Sequence, residues 1–143
     1  MRNHHDANAK SIGGTAELLG GKGRLIPIRE QIDQRGCLVP FDFDSMTFAP
    51  RRAFVIRDVP AGVVRGGHAL RRQQMLLVCL AGRVEVRLIC RNGEETVVLD
   101  TSSRALFVDA GVWSEQRYID PGTCLCVFAS GPYDPGDYMD APE

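Results

Sequence analysis

The sequence predicts an all-β protein, folded as a sandwich or barrel. Short apolar runs recur at intervals of roughly ten residues, a glycine- or proline-containing turn signal separates them, and no segment keeps a helical period over three turns. The chain has 143 residues, which suits a single domain with a full hydrophobic core.

Seven apolar runs are predicted as strands. They cover residues 24–28, 53–59, 74–80, 84–89, 96–99, 105–108 and 123–129. The turn signals between them are Pro60-Ala61-Gly62, Ala81-Gly82, Asn92-Gly93, Asp109-Ala110-Gly111 and Asp120-Pro121-Gly122.

Local patterns add detail at three places. Residues 84–88 alternate apolar and polar side chains, which predicts a strand with one buried and one solvated face. Asn92-Gly93 predicts a type I′ hairpin turn into the next strand. Near the C-terminus, Asp134 and Pro135 suit the cap and first position of a short helical turn.

The domain organisation follows from composition. Residues 1–23 are polar and rich in glycine, which predicts a flexible leader, and residues 24–143 form the predicted single domain. Residues 1–10 lack the apolar stretch of a secretion signal, so we expect the protein in the cytosol. The five cysteines are an odd number without CxxC spacing, and in that reducing compartment they are interpreted as small core residues.

Charge excludes some partners. The net charge of −1 gives no reason to expect nucleic acid, and the apolar runs are too short to span a membrane. Fifteen of the 17 basic residues are arginine, which favours recognition of phosphate or carboxylate by some of them. Six arginines lie near one histidine in sequence: Arg51, Arg52, Arg57, Arg65, Arg71 and Arg72.

That histidine is His68, the only one outside the N-terminal tail. It follows Arg65 and the pair Gly66-Gly67, which we interpret as a two-glycine turn with positive φ. Imidazole titrates near neutral pH and can act as a general base or acid. A single histidine makes a stable transition-metal site unexpected, so neither metal nor cofactor is predicted. A Cys/His site that joins His68 to Cys79, Cys124 and Cys126 stays open as the alternative.

An ordered series of motifs resembles one known family. The series consists of Arg35-Gly36-Cys37-Leu38, the segment 48–56, Arg65-Gly66-Gly67-His68-Ala69, the segment 74–82, Leu99-Asp100, Gly111-Val112-Trp113-Ser114-Glu115, Ala129-Ser130, Tyr133-Asp134 and Asp137-Tyr138. In order and spacing it resembles the WxcM-like cupins, the dTDP-sugar 3,4-ketoisomerases, from about Arg24 to Asp140.

The resemblance implies a cupin jelly roll, the double-stranded β-helix, that isomerises a dTDP-4-keto-6-deoxyhexose without a metal or cofactor. It also implies a homodimer. His68 would be the catalytic base, and Arg65 would bind the diphosphate or polarise the sugar carbonyl; Glu115 is the third candidate catalytic residue. The candidate substrate-binding residues are Arg35, Phe54, Leu70, Trp113, Ser114 and Tyr118.

Three positions depart from the family pattern. Leu70 replaces a second histidine, Phe54-Val55 stand where tyrosine is usual, and Ser114 replaces a histidine. Two further hypotheses therefore stay open beside the sugar isomerase. One is another isomerisation or cyclisation of a less polar biosynthetic intermediate, and the other is a ligand-binding module without catalysis.

Overall fold

The computed structural model describes residues 14–46 and 48–143, and these form antiparallel β-structure. In chain order the strands are β1 (Ala16–Leu18), β2 (Gly23–Pro27), β3 (Gln31–Asp33), β4 (Gly36–Leu38), β5 (Arg52–Ile56), β6 (Val64–Leu70), β7 (Met75–Ala81), β8 (Val84–Cys90), β9 (Gly93–Leu99), β10 (Arg104–Val108), β11 (Trp113–Tyr118), β12 (Cys124–Ala129) and β13 (Tyr138–Met139). Single 3-10 turns cover Leu19–Gly21, Phe43–Ser45 and Pro135–Asp137.

Two sheets make up the body. One has the order β1-β2-β10-β7-β12-β5, the other has the order β13-β6-β11-β8-β9, and β3 and β4 form a separate hairpin. This arrangement confirms the predicted all-β class. Within the described residues, no helix is long and apolar enough to cross a membrane.

The main core lies between the two sheets. Alternating strand residues supply it, so Leu77, Leu106 and Leu125 from the first sheet meet Val86 and Leu88 from the second, all fully buried. The predicted alternation in β8 is confirmed, because Val84, Val86 and Leu88 are buried between more exposed neighbours. Apolar burial on this scale is the main stabilising contribution to such a fold.

A second apolar layer covers part of the outer face of the first sheet. Residues 39–46 and residue 48 lie on this face, and Phe43 contacts Phe128 edge-on at a ring-centroid separation of 4.9 Å. Phe48 approaches Phe107 in a tilted arrangement at 6.3 Å. The hairpin β3–β4 precedes this segment and stands apart from the body, with every strand residue exposed.

The folded part begins earlier than the predicted boundary at residue 24. Strand β1 pairs with β2, and Ala16 is buried in the main core. Strand β1 therefore belongs to the first sheet, although its composition places it in the predicted leader. Residues 1–13 of that predicted leader lie outside the described residues.

The predicted type I′ turn is also corrected. Cys90 pairs with Gly93, so the two loop residues are Arg91 and Asn92, one position earlier than expected. Neither has the positive φ that a type I′ turn needs, and Gly93 instead opens β9 with φ of 129°. The C-terminal turn is confirmed, since Asp134 accepts a hydrogen bond from Gly136 N and Pro135 begins the 3-10 turn.

Candidate functional site

A cavity of about 210 Å³ opens between the sheets at the β5–β6 end of the body. Five strands contribute to its wall, which combines basic, polar and apolar side chains. The lining residues are Arg52, Phe54 and Ile56 of β5, Arg65, Gly66, His68 and Leu70 of β6, Met75 of β7, Ser114 and Gln116 of β11, and Tyr138 of β13.

The predicted glycine turn is a β-bulge inside strand β6. Ser114 pairs with His68 and Gln116 pairs with Arg65, so three steps along β6 match two steps along β11. Residues three apart on a regular strand face opposite sides, whereas the extra residue turns Arg65 and His68 towards the same cavity. Gly66 and Gly67 have φ of 87° and 79°, which confirms the predicted positive φ and corrects its setting.

Gly66 meets a second requirement besides its backbone conformation. A Cβ atom there would lie 3.1 Å from the Ser114 carbonyl oxygen and 3.2 Å from Glu115 Cα. Both are backbone atoms of the neighbouring strand, which has little freedom to move. Any side chain at position 66 would therefore push β6 away from β11.

His68 is solvent-accessible at the cavity mouth, where Tyr138 packs edge-on against it. The ring centroids are 5.2 Å apart with an interplanar angle of 80°, a favourable aromatic geometry. Tyr138 therefore restricts the orientation of the imidazole while leaving it open to a ligand.

The C-terminal segment that carries Tyr138 is held by a buried carboxylate. Asp137 accepts hydrogen bonds from Arg72 N at 3.0 Å and from Gln73 N at 3.2 Å. Its neighbour Tyr138 pairs with Leu70 at the end of β6. These contacts fasten the segment over the corner between β6 and β7, next to His68.

The cavity is electropositive. Within the described part of the chain, the Arg65 guanidinium makes no ion pair, unlike Arg83 and Arg87, which bind carboxylates elsewhere. Arg52 lies over the Phe54 ring at 5.0 Å, and its buried Nε has no hydrogen-bond partner. The lining residues include no carboxylate. An anionic ligand such as a diphosphate fits this charge distribution.

The remaining wall is apolar. Phe54, Ile56, Leu70 and Met75 line it, so two of the positions that depart from the family pattern, Phe54 and Leu70, lie in the cavity. Ser114, the third, faces the cavity too and is buried.

Glu115 and Trp113 lie on the other face of β11. The Glu115 carboxylate accepts a hydrogen bond from Arg87 at 3.1 Å, away from His68. The Trp113 ring lies beside Gly67, 3.7 Å from where a Cβ atom would be. The predicted placement of both residues in the pocket is corrected, because strand alternation that brings Ser114 inward turns its neighbours outward.

Arg35 and Tyr118 are also outside the cavity, for different reasons. Arg35 lies in the hairpin loop, has a side chain that is 89% exposed, and pairs with Asp33. Tyr118 faces inward but is fully buried in the core, so it cannot touch a ligand in the cavity. Its hydroxyl donates to Gln116 Oε1 at 3.4 Å, and burial raises the pKa of the phenol to about 12.

Three functional side chains lie in the cavity without being in the predicted set: Arg52, Gln116 and Tyr138. Period-two alternation could have found two of them, since Arg52 precedes Phe54 by two residues and Gln116 follows Ser114 by two. Tyr138 reaches the site only through the β13–β6 pairing, for which the local pattern gives no signal.

The cysteines do not form the alternative metal site with His68. Cys79 belongs to the main core, where burial raises the pKa of its thiol to about 11. None of Cys79, Cys124 and Cys126 lines the cavity that contains His68. Across the described ranges, no cluster of three or more His, Cys, Asp or Glu side chains could hold a metal ion.

A larger groove of about 410 Å³ lies elsewhere on the surface. Its lining residues are Lys22, Cys90, Arg91, Asn92, Ala110, Gly111 and Glu143. The lining residues of this groove include no imidazole, and Lys22 is already engaged with Asp109 at 3.7 Å. The smaller cavity is therefore the better candidate for chemistry.

Comparisons with known proteins agree with this geometry. The TDP-4-oxo-6-deoxy-alpha-D-glucose-3,4-oxoisomerase of Aneurinibacillus thermoaerophilus is 31% identical over 119 residues, which cover 82% of this chain and 86% of the relative. The crystal structure of QdtA, a sugar 3,4-ketoisomerase from Thermoanaerobacterium thermosaccharolyticum in complex with TDP, superposes with a TM-score of 0.80 at 30% identity, covering 83% and 88% of the two chains.

A more distant structure shares the fold. NovW, a 4-keto-6-deoxy sugar epimerase from Streptomyces spheroides, has a TM-score of 0.77 at 24% identity, with 90% of this chain and 73% of NovW covered. These similarities confirm the predicted cupin-like jelly roll. The family model described as FdtA, WxcM-like, C-terminal matches residues 22–143. With that match over most of its length, the chain belongs to the WxcM-like, C-terminal family.

Proposed function

We propose that this protein is a 3,4-ketoisomerase that acts on a TDP-4-keto-6-deoxyhexose. The observation that carries the proposal is the β6 bulge, which turns the unpaired Arg65 guanidinium and the His68 imidazole into one electropositive cavity. The relatives named above as 3,4-oxoisomerase and 3,4-ketoisomerase support the reaction type.

The chemistry requires a proton to move between adjacent carbons. His68 removes the proton from C3, the electron pair forms the C3–C4 double bond, and the C4 oxygen becomes an enediolate. After hydrogen has passed between the two oxygens, the protonated His68 delivers its proton to C4 and leaves the ketone at C3. One base suffices if both transfers take place on the same face of the sugar.

The exchange between oxygens needs a hydroxyl or water in reach. Leu70 and Phe54 have apolar side chains and cannot take part in this exchange. Among the lining side chains, Ser114 and Tyr138 carry hydroxyl groups. Ser114 is the cross-strand partner of His68 and Tyr138 contacts the imidazole ring. We assign the relay to these two residues in place of the groups the family usually carries.

A direct assay tests the activity. The protein is incubated with TDP-4-keto-6-deoxyglucose, and the products are followed by NMR. The proposal expects the 3-keto isomer. Binding of TDP without any 3-keto product, even at high enzyme concentration, would favour the binding module, and indifference to both compounds would favour a less polar substrate.

We also propose that the protein is a homodimer in which the β3–β4 hairpin covers a partner. Ile32 and Leu38 on this hairpin are 68% and 57% exposed. On the outer face of the first sheet, Val55 and Leu80 are exposed beside Cys126, and β5 is an edge strand. An exposed apolar hairpin and an exposed apolar sheet edge on the same chain suit contact between two copies.

Light scattering checks the oligomeric state. We expect a dimer for the wild type and a monomer for the double variant Ile32→Asp/Leu38→Asp, because buried carboxylates would oppose association. Thr96→Asp places a charge on an exposed position of β9 and is expected to leave the dimer intact. A monomeric wild type, or a double variant that still dimerises, would contradict this arrangement.

We further propose that the protein works in the cytosol. All five cysteines are free thiols, which supports a reducing compartment.

A further inference from the structure

Gln116 is an unusual residue for its position. It lies on β11 in a row of inward-facing side chains, is only 8% exposed, and lines the cavity. A buried amide normally satisfies its donors and acceptor with hydrogen bonds. Among the described residues, Oε1 accepts from Tyr118, whereas Nε2 has no acceptor.

Strand pairing places Gln116 close to both Arg65 and His68. Gln116 pairs with Arg65 across the ladder, and Ser114, two residues earlier, pairs with His68. Nε2 is 3.1 Å from where a Cβ atom of residue 66 would stand, as close as the Ser114 carbonyl oxygen. The missing side chain at Gly66 thus leaves room for an N–H donor beside the bulge.

Tyr118 determines which end of the amide faces the cavity. Its phenol is fully buried and donates a hydrogen bond to Oε1 at 3.4 Å. Because the Tyr118 hydroxyl donates a hydrogen bond, the amide oxygen of Gln116 is favoured beside it. The two N–H groups of Nε2 are therefore directed towards the cavity.

We propose that Gln116 Nε2 binds the C4 oxygen of the keto-sugar and stabilises the enediolate, with Tyr118 as its positioning residue. This inference rests on the proposed function. When His68 takes the C3 proton, the negative charge that develops on the C4 oxygen is met by a neutral, pre-oriented N–H donor. No bond to Gln116 forms or breaks, and the amide returns unchanged when C4 is protonated.

The test compares four variants with the wild type. Gln116→Met removes the donor at similar length, and Gln116→Glu keeps an acceptor for Tyr118 but has no amide N–H. Tyr118→Phe frees the amide to rotate, and the fourth variant combines Gln116→Met with Tyr118→Phe. TDP affinity is measured by calorimetry and turnover of TDP-4-keto-6-deoxyglucose by NMR.

Both Gln116 variants are expected to lower kcat by roughly 10²–10³-fold with little change in KM, since the contact strengthens as charge develops. Because TDP lacks the keto-sugar, its affinity should stay within about twofold for Gln116→Met. Tyr118→Phe should lower kcat by less than either Gln116 variant, and the double variant should be no slower than Gln116→Met alone.

Each other outcome overturns the inference. A kcat within twofold of the wild type for Gln116→Met would show that the amide does not bind the reacting oxygen. Loss of TDP binding in both Gln116 variants would give the residue a structural role, and additive losses in the double variant would remove Tyr118 as its positioning partner. Failure of the wild type itself to isomerise the sugar would instead remove the proposed function, and this inference with it.

Discussion

At the scale of single residues, the site depends on side chains that are left without partners. Arg65 has no carboxylate among the described residues, Gln116 Nε2 has no acceptor there, and the Arg52 Nε is buried without a hydrogen bond. A buried polar group without a hydrogen-bond partner destabilises a folded protein, whereas a cavity-facing group is open to water or a ligand. All three groups line one cavity, where they are available to an anionic or polar ligand.

Tyr118 gives a residue-scale prediction about pH. Burial raises its pKa from 10.0 to about 12, so the folded state favours the neutral phenol. The resulting stabilisation is complete below pH 10 and is lost as the pH rises through about 12. In a phenolate absorbance titration we expect one of the three tyrosines to ionise near pH 12, and Tyr118→Phe to lack that step.

Urea unfolding provides the matching stability measurement. The wild type should lose stability between about pH 10 and pH 12, and Tyr118→Phe should lose less of it over the same interval. Equal losses in both proteins would contradict the raised pKa.

At the scale of elements, the bulge in β6 and the C-terminal segment place the catalytic groups. The bulge adds one residue and thereby gives Arg65 and His68 a common face. The segment after the last 3-10 turn brings Tyr138 against His68. Neither element belongs to the main core, so substitutions there should change activity more than the overall fold.

Gly66→Ala tests the bulge. We expect a loss of about 1–2 kcal/mol in unfolding free energy from the positive φ, and a fall in kcat of roughly 10²-fold because β6 must move away from β11. Gly122→Ala is the matched control, since Gly122 has φ of 81° with nothing within 4 Å of a Cβ atom. It should lose similar stability and keep its activity, and an equal loss of activity in the two variants would refute a special role for the bulge.

Asp137→Asn tests how the C-terminal segment is held. The substitution removes the charge that accepts two backbone N–H groups, so we expect a loss of about 1.5–3 kcal/mol in the free energy of unfolding. Activity should fall as Tyr138 leaves His68. Asp140→Asn, an exposed position in the same segment, should behave like the wild type; if both variants unfold at the same urea concentration, the carboxylate does not fasten the segment.

At the scale of the whole molecule, the sequence predicts those strands whose positions depend on the local pattern of apolar and polar residues. β8 alternates apolar and polar residues and β12 is a continuous apolar run, so the local pattern is enough to predict where both strands lie. β6 and β11 carry glycine and charged residues and show no strand signal, because their strand character comes from pairing with each other. Long-range register of this kind is not contained in a single-strand pattern.

The residues of the site also divide into those that the local sequence predicts and those that depend on long-range strand pairing. His68, Arg65, Phe54, Leu70 and Ser114 are predicted site residues that line one cavity. Glu115 and Trp113 face outward because of strand alternation, and Arg35 lies on a hairpin whose position depends on tertiary contacts. Gln116 and Tyr138 reach the cavity through the β11 register and the β13 pairing.

Deuterium transfer tests the central claim, that His68 carries a proton between C3 and C4 of a keto-sugar in this cavity. The wild type and His68→Asn are incubated with TDP-4-keto-6-deoxyglucose in D₂O, and NMR follows the 3-keto product and the deuterium at C4. Because His68 is exposed, the proton that it takes from C3 exchanges with D₂O before delivery, so we predict 3-keto product with deuterium at C4 for the wild type. For His68→Asn we predict a rate lower by roughly 10²–10⁴-fold with TDP binding retained. An equal rate of deuterium incorporation in the two proteins would contradict the account.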